Sequence, residues 1–217
     1  MNIIVSSWPG AGSSTLAMIL AKELKLRLFL GTETFRLIGR KLNYENTGKE
    51  RIEADQYLEK YWGPLYDKYV EYIALNNNGL IIESDIGGFK IKDKNVFSIF
   101  LTASLEARLE RLSMDRRIKD ISFLELREKT LQKSYKKLHN INWLDKEQIK
   151  SKYSFVIDNS KKSISEELKE VYNYLSREGI ISLNKLGALL QLLDRDVKAF
   201  WEKGKESTLK DLERKNL

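Results

Sequence analysis

The segment Asn2-Ile3-Ile4-Val5-Ser6-Ser7-Trp8-Pro9-Gly10-Ala11-Gly12-Ser13-Ser14-Thr15 constrains this chain more than any other stretch. An apolar run, a loop with two glycines and a helical repeat (Leu16, Ile19, Leu20, Leu24) follow one another directly. A strand that turns through glycine into a helix offers backbone N–H groups and the positive end of the helix dipole to an anion. Gly10 and Gly12 can take positive φ and let the backbone approach a ligand closely. The phosphate-binding pattern at such a turn is G-x-x-x-x-G-K-[ST], the last hydroxyl serving Mg²⁺. Gly12 and Ser14 match it, Ser7 replaces the first Gly, and Ser13 stands where the Lys belongs. The context suits a polyphosphate, but its principal cation is missing. The plainer reading of the same residues is a glycine turn capping a helix in an α/β domain.

Five short apolar runs read as buried strands: 3–6, 26–30, 80–83, 96–101 and 154–158. Helical patterns separate them over 14–24, 34–42, 49–75, 105–114, 123–138 and 163–175. Such alternation predicts a mostly parallel sheet with helices on both faces. Ligands of such sheets bind beyond the carboxyl ends of the strands. Asn76-Asn77-Asn78-Gly79 is a helix stop ahead of the third strand. From about Ile180 the pattern changes to a leucine face (Leu183, Leu186, Leu189, Leu190, Leu193) and then a charged segment, 202–217. This tail reads as an addition to the core, and its leucines as a surface for self-association.

A chain of 217 residues accommodates one sizeable α/β core with a small appendage. It has no cysteine, which excludes a disulfide framework, a thiolate zinc site and a catalytic thiol; the single His139 excludes a multi-histidine centre. His139 itself reads as closing a helix end. No apolar run reaches the roughly 18 residues of a membrane span. The chain opens on a strand pattern without the marks of a secretory leader, so a cytoplasmic location is expected. The net charge of +7 suits anionic ligands such as nucleotides, weak nucleic-acid affinity, or simply a Lys-rich surface.

In order along the chain, the motifs resemble those of the nucleoside monophosphate kinases, and among them the cytidylate kinase-like family. Residues 7–15 stand against the family's G-P-P-G-S-G-K-S-T. Leu30-Gly31-Thr32-Glu33-Thr34-Phe35-Arg36 is similar to its S-x-G-x-x-F-R. Gly79–Gly88 is similar to a strand ending in [DE]-G-R, and Ile99–Arg111 to the strand and helix that lead into a lid. Tyr153-Ser154-Phe155-Val156-Ile157-Asp158-Asn159-Ser160 is similar to the final Y-D-x-V-I-D-T-S strand. The resemblance covers nearly all of 1–177. It implies a three-layer P-loop NTPase fold with a five-stranded parallel sheet and a C-terminal helical extension (178–217). It also implies an acceptor-binding insert at about 34–77 and a lid at about 112–140.

Function follows as expectation. The resemblance implies an ATP- and Mg²⁺-dependent kinase acting on CMP, dCMP or a related monophosphate. Gly10, Ala11, Gly12, Ser13, Ser14 and Thr15 would hold the donor phosphates, and Ser14 and Glu83 the metal. Arg36 would grip the acceptor phosphate with its planar fork, with Asp85 beside the acceptor. Within a cationic run (Arg108, Arg111, Arg116, Arg117, Arg127, Lys133, Lys136, Lys137), Arg116, Arg117 and Arg127 are the candidates to close over the transferring group. Trp62, Tyr66 and Tyr69 belong to the insert, where helical spacing favours packing over base stacking. Ser84-Asp85 replaces the family's Gly-Arg, so two cations are missing from one reaction centre. Either Lys90, Lys92 or a lid arginine compensates, or the chain binds nucleotide or a partner in a regulatory role without turnover. A nucleic-acid partner through the basic lid region ranks behind both.

Overall fold

The computed structural model describes residues 1–34, 37, 60–114, 120–203 and 210. Its sheet has five parallel strands in the order β2-β3-β1-β4-β5. They are β1 (Asn2–Ser7), β2 (Arg27–Leu30), β3 (Leu80–Glu83), β4 (Val96–Thr102) and β5 (Phe155–Asp158). The described helices are α1 (Ser13–Leu24), α2 (Gly63–Asn76), α3 (Gly87–Lys90), α4 (Leu105–Met114), α5 (Ile121–His139), α6 (Lys146–Lys152), α7 (Ile164–Arg177) and α8 (Leu183–Lys203).

β1 is the central strand and is buried from end to end. Covered on both faces, it reads as a continuous run rather than an alternation. Its register runs Ile3–Ile81 on one side and Ile3–Phe97 on the other. The one strongly polar residue in it, Asn2, is spent on backbone. Its Nδ2 donates to the carbonyls of Ala74 and Asn77 (both 2.7 Å), and its Oδ1 accepts from Leu80 N (2.9 Å). One side chain thus stitches the end of α2 to the start of β3. The Asn-Gly stop works as its residues demand, with Gly79 at φ +75°.

One apolar layer, formed by α1, α7 and α8 on β1, β3, β4 and β5, contains Leu16, Leu20, Ile99, Leu168, Val171 and Leu175. The opposite face is covered by α3, α5 and α6, around Phe100, Tyr153 and the fully buried Trp143. The helices begin where their caps put them. Asp120 accepts from Ser122 N, Asp145 from Glu147 N and Gln148 N, and Ser163 and Glu166 form a reciprocal capping box.

Two helices, α3 and α6, were not expected from the periodicity, because four and seven residues give it too few turns to register. α5 starts two residues earlier than its pattern, at the Asp120 cap. The C-terminal leucines turn inward: Leu189 and Leu193 are buried in the main core cluster, with Leu186 and Leu190 packed against it. Much of the leucine face singled out for self-association is therefore used within the chain, while Leu183 stays 78% exposed. Most of the expected helix over 34–42 and the 49–59 part of the expected 49–75 helix, with Arg36, Arg116 and Arg117, lie outside the described residues.

Candidate nucleotide site

The loop after β1 has the backbone that its glycines permit. Gly10 sits at φ +83° and Gly12 at φ +104°, and α1 begins at Ser13 with no side-chain cap at Gly12. The first turn of α1 is thus free of the capping side chain that would compete for its N–H groups. The loop is fixed from below. Trp8 N donates to Leu101 O (3.3 Å), and Trp8 Nε1 donates to Trp143 O (3.2 Å). Asn159 Nδ2 donates to Ala11 O (2.8 Å), and Arg108 Nη1 to Pro9 O (3.3 Å). Asn159 and Arg108 thus take two loop carbonyls, while the Ala11 amide turns back to Trp8 O (3.0 Å).

Glu83 closes the site at the carboxyl end of β3. It is 2% exposed. Its Oε1 accepts from the hydroxyls of Ser14 (2.6 Å), Thr32 (2.7 Å) and Ser13 (3.2 Å), and its Oε2 from Thr32 N (2.9 Å). Ser7 Oγ donates in turn to Ser13 Oγ (2.9 Å). Gly31 is required beside this cluster: a Cβ there would overlap the Tyr66 hydroxyl and crowd Glu83 O. Among the described residues no cation pairs with Glu83. Ser13, at the position where a lysine was expected, gives the acid the longest of these hydrogen bonds, and Ser14 and Thr32 supply the shorter ones. Ser14 Oγ and Glu83 are hard oxygen donors side by side, a set that fits Mg²⁺ arriving with a nucleotide. No group of three or more acidic or histidine side chains among the described residues forms a self-contained metal site.

The basic run divides into parts with different duties. Arg108 is no solvated charge. It is 4% exposed, pairs with the buried Glu128, donates through Nε to Ala103 O (3.1 Å) and lies 5.4 Å from the Trp8 ring centre. Arg111 donates to Asn159 Oδ1 (2.9 Å) and Asn159 O (2.8 Å). Arg127 lies half-buried on α5. Lys133, Lys136 and Lys137, with Lys129, line a separate open cavity of about 470 Å³ on the outer face of α5.

Across the sheet, Asp85 accepts from the Tyr135 hydroxyl (3.1 Å). His139 ends α5, as expected, and also places Nε2 2.7 Å from Asp67 Oδ2 on α2, with Lys90 Nζ 3.8 Å away. Burial pushes the Asp67 carboxyl above its ordinary value, against the pull of Lys90 and His139. The compensating lysines considered above are thus committed elsewhere, Lys90 to Asp67 and Lys92 to the carbonyl of Lys152. Tyr66 stacks on Phe29 and so packs, Tyr69 meets the same ring edge-on but is 51% exposed, and Trp62 is 41% exposed.

Sequence reasoning did not single out three residues that the fold draws into these contacts. Asn159 links Ala11 to Glu167 (Nδ2–Oε2 2.5 Å), and burial lifts the Glu167 carboxyl to about 7. Asn159 follows the last strand at the ligand edge, a position that could have marked it. Asp67 gave no signal, because an acid on a mixed helix face reads as solvated. Lys146, at the start of α6, places Nζ 5.9 Å from the Trp8 ring centre. It escaped because α6 itself did.

Residues 2–161 match the model of the cytidylate kinase-like family. The chain is 33% identical over 118 residues to a cytidylate kinase of Sulfurisphaera tokodaii, a match spanning 52% of this chain and 61% of that one. It is 29% identical over 180 residues to a cytidylate kinase of Saccharolobus islandicus, spanning 81% and 91%. Among solved structures, an uncharacterized protein from Eubacterium ventriosum superposes with a TM-score of 0.54 at 15% identity, covering 81% of this chain and 98% of that one. A shikimate kinase from Bacteroides thetaiotaomicron gives 0.52 at 12% identity, covering 82% and 98%. These two likenesses speak for the fold alone, and it is the P-loop kinase fold expected from the sequence. By the extent of its family match, the chain belongs to the cytidylate kinase-like family of P-loop nucleoside monophosphate kinases.

Proposed function

We propose that the protein transfers the γ-phosphoryl group of ATP to CMP or dCMP, giving ADP and the nucleoside diphosphate. The observation that carries this reading is the donor loop. Gly10 and Gly12 are left-handed, and Ser13 and Ser14 converge on Glu83 where a parallel sheet receives its ligands. Phosphoryl transfer asks little covalent chemistry of a protein; it asks for in-line alignment and for partners to the charge on the moving group. Residues Gly10 to Thr15 hold the donor phosphates through amides and hydroxyls. Ser14 and Glu83 hold Mg²⁺, which when bound neutralises phosphate charge. Arg36 and Asp85 orient the acceptor, and Arg117 and Arg127 close on the transferring group. Among the described residues no helix is long and apolar enough to cross a membrane, which agrees with a cytoplasmic role.

An ADP-release assay across the nucleoside monophosphates tests this. Turnover is expected with Mg²⁺-ATP and is highest with CMP or dCMP; no turnover with any acceptor overturns it. A second reading, nucleotide binding in a regulatory role, is favoured by Ser13 and by Asp85 in place of an arginine. Saturable Mg²⁺-ATP binding without ADP release would identify it.

A further inference from the structure

We propose that Lys146 supplies the positive charge that position 13 lacks, its ammonium group contacting the donor triphosphate from the rim of the loop. The inference rests on the donor-site reading above. Replacing a P-loop lysine with serine leaves the polyphosphate with amides and hydroxyls only, so a cation must come from another element if the charge is to be matched.

The described cations around the loop differ in what they are free to do. Arg108 is sunk beneath it and neutralised by Glu128. Arg111 is held by Asn159. Lys90 and Lys92 are drawn to Asp67 and to the carbonyl of Lys152. Lys146 is exposed, and among the described residues no carboxylate lies within ion-pair distance of it.

Its position is set by the loop itself. The indole of Trp8, the residue after β1, donates to Trp143 O and so pins the start of α6 against the loop. Lys146 then extends over the Trp8 ring. The field of Lys146 also reaches Asp158 at the end of β5, whose carboxyl is held below its ordinary value chiefly by Ser160 and in part by Lys146. Trp8 and Asp158 both mark the carboxyl edge of the sheet, where the phosphates would lie. α6 gives no reason of its own for this lysine, since a cation in the first turn opposes the helix dipole. A phosphate ligand does. The ammonium sits on a flexible four-carbon stem with rotatable donors, so it can leave the face of Trp8 for a triphosphate without moving the backbone.

The experiment compares the full-length wild type with Lys146→Met, Lys146→Arg and the double variant Lys146→Met/Ser13→Lys. The readouts are Mg²⁺-ATP titration calorimetry, ADP release and thermal melting. Methionine is an unbranched side chain of similar reach that removes the charge. The expected result is a loss of about 10²-fold in kcat/KM for ATP in Lys146→Met, as for removal of one transition-state charge partner. The acceptor KM and the melting temperature should be unchanged, and Lys146→Arg should stay within about tenfold of wild type. Restoration by Ser13→Lys would place the two charges in one role. Unchanged kinetics in Lys146→Met overturns the inference and leaves the kinase reading intact. So does an Arg variant as impaired as the Met variant, or a loss that follows a lowered melting temperature. If no protein in the set turns over any acceptor, the kinase reading fails, and calorimetry alone decides. ATP binding at least tenfold weaker in Lys146→Met sustains the inference; equal affinity ends it.

Discussion

The loop proposed to hold the donor and the side of the sheet proposed for the acceptor are secured by opposite means. Beneath the loop, side chains hold backbone carbonyls: Asn159 takes Ala11 O, Arg108 takes Pro9 O and Ala103 O, and Arg108 is in turn neutralised by Glu128. On the acceptor side, charged and phenolic groups meet one another across three helices. Asp67 of α2 lies between His139 of α5 and Lys90 of α3, and Tyr135 of α5 reaches Asp85. The first arrangement sets a backbone shape that needs no ligand and spends its cations out of the ligand's reach. The second ties together α2, α3 and α5 by contacts that a single substitution removes. With Ser13 at its helix start, the loop keeps its left-handed glycines and its supports without a lysine of its own.

The largest effect that would break this contrast is at Arg108. Arg108→Met strands the buried Glu128 and releases Pro9 O, and removing one partner of a buried pair costs about 3–5 kcal/mol. Denaturant unfolding should show that loss, with weaker ATP binding. A loss under 1 kcal/mol would mean that the loop does not depend on its under-side pairing.

Glu167 sharpens the contrast through pH. It is 4% exposed, its Oε1 lacks a hydrogen-bond partner among the described residues, and burial raises its carboxyl from 4.5 to about 7. The folded protein therefore keeps a proton that the unfolded chain has already lost. The associated stability is fully present below about pH 4.5 and is lost as pH rises through 7. Glu167→Gln cannot ionise and should be more stable than wild type above pH 7, by about 3 kcal/mol for a shift of this size. The advantage should vanish near pH 4.5, a trend that melting curves at a series of pH values would follow. A pH-independent difference would contradict the assignment.

The smallest expected effect is on the acceptor side. Tyr135→Phe deletes the hydrogen bond to Asp85, worth about 1 kcal/mol. It should raise the acceptor KM severalfold and leave the ATP KM unchanged in steady-state kinetics. A change in the ATP KM alone would erase the distinction between the two sides.

The strands were legible because parallel strands buried on both faces leave unbroken apolar runs. β3 was placed to the residue, and the other strands within one residue at either end. The donor loop was legible because glycine between a strand and a helix has few other uses. The support of the loop was not. Arg108 belongs to a run of basic residues that reads as a solvated face, and only the fold brings Glu128, twenty positions on, to neutralise it. Asn159 joins Ala11 across 148 positions, and Asp67 meets His139 across 72; no local pattern carries such pairings. Lys146 was hidden by a helix of only seven residues.

The central claim is that the loop presents its amides to a polyphosphate without a lysine. Backbone amide chemical shifts of the labelled protein, followed during titration with Mg²⁺ and a non-hydrolysable ATP analogue, test it most directly. Saturable shifts at Gly10, Gly12, Ser13 and Ser14, larger than those elsewhere on the carboxyl edge of the sheet, are the predicted result. Binding that leaves those four amides unmoved, or no binding at millimolar analogue, would contradict it.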